Sequence, residues 1–150
     1  MSASVVYRVA FLAVLVCVMS VAAAIASKPA QAQTGQSVVA EARSWVGTPY
    51  VWGGESRAGV DCSGLTQAVF GNLGVDLPRT TNAQWFAGSP SWYNGANAGD
   101  LVFSNFGGGW ASHVGIATGD GTYIHAPYPG SVARESPIIW DNVNGVRSVI

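Results

Sequence analysis

The stretch of sequence that decides the fold is SHVGIATGDGTYIHAP, residues 112–127. Its centre, Gly119-Asp120-Gly121, is a turn signal, and apolar residues alternate with polar ones on both sides of it. This pattern predicts two short strands, 114–118 and 123–125, joined as an antiparallel hairpin.

The length of the turn decides whether the two histidines of the chain, His113 and His125, share a face of the sheet. A two-residue turn at 120–121 would pair residue 125 with residue 116 and point the imidazoles to opposite faces. A three-residue turn, 119–121, pairs residue 125 with residue 115 and puts both imidazoles on one face. A site that uses both histidines therefore requires the three-residue turn, which is a common hairpin loop.

Helices are predicted before these strands. The first, 37–46, places its apolar residues on one face, and a glycine and a proline end it. These apolar residues are Val38, Val39, Ala42, Trp45 and Val46. The second helix begins after Asp61, whose side chain can cap it, and runs to about Leu73 before Gly74. A shorter helix is predicted near 83–86, within a segment rich in turn residues.

Short strands are also predicted over 101–103 and 146–150, where the hydrophobic period is again two. We expect the last residues, 136–150, to close the sheet. Helices followed by closely spaced strands predict an α+β domain with an antiparallel sheet.

The composition of the chain excludes several classes of protein. Its 150 residues suffice for one compact domain rather than two. Hydrophobic residues make up 49% and charged residues 10%, the opposite of the balance that keeps a chain disordered. Seven basic and eight acidic residues give a net charge of −1, without the basic stripe of a nucleic-acid-binding protein.

The N-terminal segment has the pattern of a secretory signal peptide. Arg8 precedes an apolar run over 9–26, and Ala30-Gln31-Ala32 matches an A-x-A cleavage site. We predict a signal peptide over 1–32, a linker over 33–36 and one domain over 37–150. Three alternatives are a cut after Ala26, an uncleaved membrane anchor and, less compatible with the flanking residues, a lipid-modified Cys17.

Cys62 is the one cysteine left after cleavage, since Cys17 would leave with the signal peptide. An internal disulfide is then impossible, and a free thiol is either a buried small hydrophobe or a reactive group. The predicted helix places Cys62 in its first turn, where the helix dipole lowers a thiol pKa. We also expect Gly64 to keep bulk away from the approach to this thiol. These features favour a nucleophile.

Cysteine and histidine together supply the groups for nucleophilic catalysis. His113 would take the Cys62 proton and return it to the leaving amine, and His125 would hold the far nitrogen of His113. Backbone N–H groups near Cys62 would bind the oxyanion. The same three residues are also a possible zinc ligand set, although no CxxC or HExxH spacing accompanies them.

Five segments in order resemble the NlpC-type cell-wall peptidases, a family of papain-like cysteine peptidases. They are GTPYVWGG (47–54), DCSGLTQAVF (61–70), LPRTTNAQ (77–84), AGDLVFSN (98–105) and SHVGIATGDGTYIHAP (112–127). The resemblance covers about 38–132. It implies Cys62 as nucleophile, His113 as base, His125 as the third polar residue, and a Cys-bearing helix packed on an antiparallel sheet that carries the histidines.

The resemblance also implies a substrate, peptidoglycan stem peptides cut between D-γ-glutamyl and a diamino acid such as meso-diaminopimelate. Tyr50, Asp61 and Ser63 would help to bind the substrate, with Tyr50 supporting the oxyanion. No cofactor, metal or nucleic acid is expected. The protein would be a monomer, secreted to the cell wall or periplasm, without stable membrane insertion after cleavage.

Other functions stay open at this point. A related Cys-His amidase, transpeptidase or acyltransferase would use the same groups on another substrate, and a retired peptidase fold would only bind the wall. Arg57 and Arg79 are candidates for the substrate carboxylate, although surface arginines are common. The aromatic segment 85–97 is a candidate wall of the substrate pocket.

Overall fold

The computed structural model describes residues 34–91 and 95–150. The predicted signal peptide, 1–32, lies outside the described residues. The helices in the described ranges are α1 (Gly35–Arg43), α2 (Cys62–Asn72) and α3 (Thr81–Ala87), with a 3-10 turn at Trp140–Asn142. Within those same ranges, none of the helices is long and apolar enough to span a bilayer.

The strands form a hairpin and a larger antiparallel sheet. In chain order they are β1 (Glu55–Ser56), β2 (Gly59–Val60), β3 (Ser89–Pro90), β4 (Leu101–Ser104), β5 (His113–Ala117), β6 (Thr122–His125), β7 (Arg134–Pro137) and β8 (Val143–Ser148). The six-stranded sheet has the order β3-β8-β4-β5-β6-β7, and β1 pairs with β2 separately. Neighbouring strands are antiparallel, which confirms the predicted α+β class.

The first helix begins two residues earlier than predicted and ends three residues sooner. Thr34 caps it by accepting from the Ser37 backbone N–H, and Ser37 Oγ accepts from the Thr34 N–H in return. After Arg43 the chain continues as turns. Trp45 stays buried, but Val46 is 49% exposed, so its predicted place on the buried face was wrong.

The second helix, α2, matches its prediction closely. Asp61 is its N-cap, and the carboxylate accepts from the Gly64 backbone N–H at 2.7 Å. Leu73 follows as C-cap, and Gly74 leaves the helix with a φ of 82°. Leu65, Val69 and Phe70 are fully buried in the main core.

The hairpin of β5 and β6 has the three-residue turn that a shared histidine face requires. Ile116 pairs with Ile124 and Ala117 with Tyr123. The backbone N–H of Thr118 then donates to the Thr122 carbonyl at 3.1 Å, which leaves 119–121 as the loop. Continued by one step, this register sets residue 125 opposite residue 115.

Two strand predictions needed correction. β7 was not predicted, since its residues RESP lie at the sheet edge, are largely exposed and show no apolar alternation. The final strand, β8, begins three residues before the predicted 146–150 and lies inside the sheet, between β3 and β4. The 3-10 turn just before β8 brings the chain into that position.

The helices cover one face of the sheet and build the main core with it. Buried side chains of α1 and α2 pack there against Leu101, Phe103, Val114, Ile116 and Ile124 of the strands. A smaller apolar cluster lies apart from it, around Val102, Ala117, Tyr123, Ile138 and Val146. The helix that carries Cys62 thus packs on the strands that carry the two histidines, as predicted.

Candidate active site

The N-terminus of α2 is held in place by Asp61, the residue directly before Cys62. One carboxylate oxygen accepts from the Gly64 N–H at 2.7 Å, and the other accepts from the Gly53 N–H at 2.9 Å. Asp61 therefore ties the first turn of the helix to the 51–54 turn. Cys62 becomes the first residue of the helix, which is the position that the sequence predicted for it.

Arg79 completes this anchor from a different part of the chain. Its guanidinium donates to Asp61 Oδ2 and to Ser63 Oγ, both at 2.8 Å, and pairs with Glu55 at 3.2 Å. The arginine lowers the pKa of Asp61 and opposes the effect of burial, so this carboxylate stays ionised. Arg79 is thus a paired, half-buried residue of the site rather than a free surface charge.

The histidines lie side by side on the sheet, one at the start of β5 and one at the end of β6. His113 Nε2 and His125 Nδ1 are 2.9 Å apart and share a hydrogen bond. Both side chains are buried, each with 5% exposure. Because Nε2 of His113 is occupied by His125, Nδ1 is the nitrogen left for another partner.

Cys62 and His113 line the same open pocket of about 480 Å³. A backbone hydrogen bond of Val114, the residue after His113, reaches the Cys62 thiol and sets it beside β5. A second pocket of about 440 Å³ also reaches the thiol and is lined by Asp61, Ser63 and Arg79. Tyr50 and Cys62 line both pockets, so the thiol sits where they meet.

The thiol pKa departs from the sequence expectation. Burial raises the pKa of Cys62 above its ordinary value, and the Asp61 carboxylate adds to the rise. Backbone hydrogen bonds of Val114 and Ser63 act in the opposite direction but do not outweigh burial. The predicted net lowering by the helix N-terminus was therefore wrong, and the free protein holds a neutral thiol.

The two imidazoles are also neutral. Burial lowers the pKa of His113 from 6.5 to about 4. Burial, then the neighbouring His113 and Arg134, lower the pKa of His125 to about 3. A neutral thiol beside a neutral imidazole can exchange a proton when a substrate supplies a carbonyl for attack, so the arrangement suits thiol-dependent acyl transfer.

These pKa values predict that the protein loses stability on acidification. Between about pH 6.5 and pH 4 the unfolded chain binds protons at both imidazoles, whereas the folded protein does not. The free energy of unfolding should therefore fall as pH decreases, by up to about 1.4 kcal/mol per pH unit for each neutral imidazole. Urea unfolding at pH 7, 6 and 5 measures this slope.

The matched control for this slope is the double variant His113→Asn with His125→Asn. It is expected to show a much flatter dependence over the same range. Protonation of Asp61, which breaks its ion pair with Arg79, takes place at a pH below the ordinary Asp pKa of 3.8, because the pKa of Asp61 is lowered. An equal slope in the double variant and the wild type would contradict the assignment to the imidazoles.

Two aromatic side chains of the first pocket, those of Phe106 and Trp110, were not singled out from the sequence. Phe106 sets its ring edge-on to His113, 5.2 Å between centroids, and Trp110 lines the same pocket. Both belong to the glycine-rich segment between β4 and β5. Trp85, from the predicted segment 85–97, packs on Phe103 and on Trp110.

The predicted site residues are brought together, with some exceptions among the secondary candidates. Tyr50, Asp61, Cys62, Ser63 and His113 line the two pockets, and His125 supports His113 from behind. Arg57 lies elsewhere, over the Trp45 ring at 3.8 Å. Residues 92–94 of the segment 85–97 lie outside the described residues.

The zinc alternative has little geometric support. His113 and His125 direct a nitrogen at each other rather than at a common third point. Across residues 34–91 and 95–150, no group of three His, Cys, Asp or Glu side chains has the arrangement of a metal site.

One functional candidate, Ser136, escaped the sequence analysis because it carries no motif. Ser136 of β7 lies 3.1 Å from His125 Nε2, through its hydroxyl. Gly64 proved to have a different purpose from the one expected, since it is buried against the carbonyl of Gly54 rather than facing the thiol approach. No local sequence pattern announces either contact.

Comparison with known proteins places these observations in a family. The model of the NlpC/P60 family matches residues 47–141. A probable endopeptidase of Corynebacterium glutamicum is 43% identical over 109 residues, which cover 73% of this chain and 50% of that protein. A gamma-DL-glutamyl hydrolase of Bacillus subtilis is 44% identical over 105 residues, 68% of this chain and 25% of that protein. The chain thus spans a quarter to a half of these curated relatives.

A solved structure agrees with the sequence comparisons. The NlpC/p60 domain of the peptidoglycan hydrolase SagA superposes with a TM-score of 0.70 at 42% sequence identity. The match covers 77% of this chain and 99% of that domain. It confirms the papain-like fold expected from the sequence.

Proposed function

The chain belongs to the NlpC/P60 family, and on that premise we propose that it is a secreted cysteine endopeptidase of peptidoglycan stem peptides. Its site would cut the bond between D-γ-glutamate and a diamino acid, through a thioester on Cys62. The observation that carries the proposal is that two pockets meet at Cys62 and that His113 lines one of them. The imidazole of His113 is in turn hydrogen-bonded to the buried His125.

The chemistry proceeds in two steps. His113 Nδ1 takes the thiol proton while Sγ of Cys62 attacks the γ-carbonyl, and the resulting oxyanion is met by backbone N–H groups at the start of α2 and by the Tyr50 hydroxyl. The C–N bond then breaks, His113 returns its proton to the leaving amine, and the acyl group remains as a thioester. Water, deprotonated by His113, hydrolyses the thioester and restores the thiol.

Substrate binding falls to the second pocket. An isopeptide of this kind carries both a carboxylate and an amine near the scissile bond. The negative Asp61 and the positive Arg79 lie on the same pocket wall, paired with each other at 2.8 Å, and the Ser63 hydroxyl contacts both of them. This pairing of charges suits a zwitterionic peptide better than an apolar acyl chain.

The proposed location follows from the N-terminal sequence. Residues 1–32 would direct export and be removed, and residues 37–150 would act as a monomer in the cell wall or periplasm. The Bacillus subtilis relative is named for hydrolysis of gamma-glutamyl bonds, and this supports the γ-glutamyl group as the acyl donor.

Product analysis tests the proposal. The protein is incubated with purified muropeptides that contain D-γ-glutamyl–meso-diaminopimelate, and the products are separated and weighed by mass spectrometry. We expect one fragment that ends in D-glutamate and one that begins with diaminopimelate. Pretreatment of the protein lacking residues 1–32 with iodoacetamide should add one adduct, on Cys62, and stop the reaction.

Each alternative gives a different product and would overturn the proposal. Release of the whole stem peptide from the glycan would make the protein an amidase, and a joined acyl product would make it a transpeptidase or acyltransferase. Intact muropeptides together with an unreactive Cys62 would leave a wall-binding module.

A further inference from the structure

We propose that Ser136 is a positioning residue for the catalytic pair, holding His125 so that its Nδ1 accepts the Nε2 proton of His113. The inference rests on the proposed function, since only the base role of His113 demands this arrangement. Ser136 lies on β7, a polar edge strand, and makes no contact with the pockets around the thiol among the described residues.

The geometry of β6 and β7 brings the hydroxyl to the ring. Tyr123 is directly opposite Ser136, while His125 is opposite Arg134. The His125 ring stacks on the Tyr123 ring, 4.2 Å between centroids and 28° between planes. It therefore leans along the strand, and its Nε2 reaches Ser136 Oγ, at 3.1 Å, rather than the residue across from it.

Both nitrogens of His125 are thus in use, one on Ser136 and one on His113. A half-turn of the ring would replace each nitrogen by a carbon and break both hydrogen bonds. Gly115 permits the stack, since a Cβ there would come within 2.4 Å of the Tyr123 ring. The ring orientation is therefore fixed by the stack and by the hydroxyl together.

Proton counting shows which arrangement needs the hydroxyl as an acceptor. Each neutral imidazole carries one ring proton, and the bond between His113 and His125 uses one of the two. If His113 Nε2 donates, the proton of His125 sits on Nε2 and needs an acceptor, which Ser136 Oγ provides. His113 Nδ1 is then unprotonated and free to take the Cys62 proton.

The reverse arrangement disables the base. If His125 Nδ1 donates, the single proton of His113 must sit on Nδ1, where it blocks transfer from Cys62. Without an acceptor at position 136, the productive arrangement would leave a buried N–H unpaired, and such a loss is costly. Ser136 therefore acts through His125 and does not touch the reacting atoms.

The test compares Ser136→Thr with Ser136→Val, two β-branched side chains of the same shape that differ in the hydroxyl. We expect Ser136→Thr to keep kcat within about twofold, and Ser136→Val to lower kcat about tenfold with KM unchanged. Long-range ¹H–¹⁵N spectra report the ring tautomers, and the chain has just two histidines to assign. In the wild type, the proton of His125 should be on Nε2, and it should shift toward Nδ1 in Ser136→Val.

The two readouts separate this inference from the proposed function. Tautomers are measured in the free protein, so they decide the role of Ser136 even if stem peptides prove to be the wrong substrate. A wild-type His125 with its proton on Nδ1 would overturn the inference. So would equal kcat values and equal spectra for the threonine and valine variants.

Discussion

Replacing His113 by alanine is expected to lower kcat for muropeptide cleavage by about 10⁵-fold, as much as replacing Cys62 by alanine. The thiol is neutral in the free protein because burial raises its pKa, so attack requires a base at the moment of reaction. A variant that keeps the thiol but lacks the base should therefore be no more active than a variant that lacks the thiol. Steady-state kinetics on a defined muropeptide measures the effect.

The double variant, Cys62→Ala with His113→Ala, provides the sharpest comparison. Because the two groups act as one unit, the double variant should be no worse than either single variant. His125→Ala should cost less than His113→Ala, since a neutral third residue orients the imidazole but stabilises its charged form weakly. This mechanism would be contradicted if the losses of kcat in the two single variants multiplied in the double variant. A preformed thiolate in the ultraviolet spectrum of the wild type would also contradict it.

The prediction of the hairpin succeeded because it rested on short-range rules. The side-chain period of a strand is two, so the length of the 119–121 turn alone decides whether His113 and His125 share a face. The cap of the Cys62 helix is equally local, since Asp61 reaches a backbone N–H three residues away. Local geometry of this kind can be read from a single sequence.

The features that escaped prediction depend on distant parts of the chain. Ser136 meets His125 because a polar edge strand pairs with β6, and nothing in RESP marks it as a strand. The rise in the thiol pKa comes from burial at the junction of α2 with the sheet, which outweighs the local effect of the helix terminus. Arg79 likewise donates a hydrogen bond to Asp61, which lies 18 positions earlier in the sequence.

Replacing Gly64 by alanine is expected to destabilise the protein by about 2–3 kcal/mol. A Cβ at this position would lie 2.0 Å from the carbonyl oxygen of Gly54, which is backbone. That carbonyl is itself held by the Asp61 N–H at 3.1 Å and by Arg79 at 3.4 Å. The first turn of α2 must therefore move, and Cys62 with it. Thermal unfolding should show a Tm lower by about 10 °C.

The same helix offers a matched control, since Gly71 meets nothing within 4 Å and is exposed. Gly71→Ala should stabilise the protein by about 0.5–1 kcal/mol, because alanine favours a helix over glycine. The same substitution is thus expected to destabilise the protein at Gly64 and to stabilise it at Gly71. The difference between the two changes in the free energy of unfolding isolates the contact with Gly54. Activity should fall with Gly64→Ala at temperatures where the variant is still folded, because the displaced turn carries Cys62, the proposed nucleophile. Equal Tm values for the two variants would show that the 51–54 turn yields to the added methyl group and does not fix the position of Cys62.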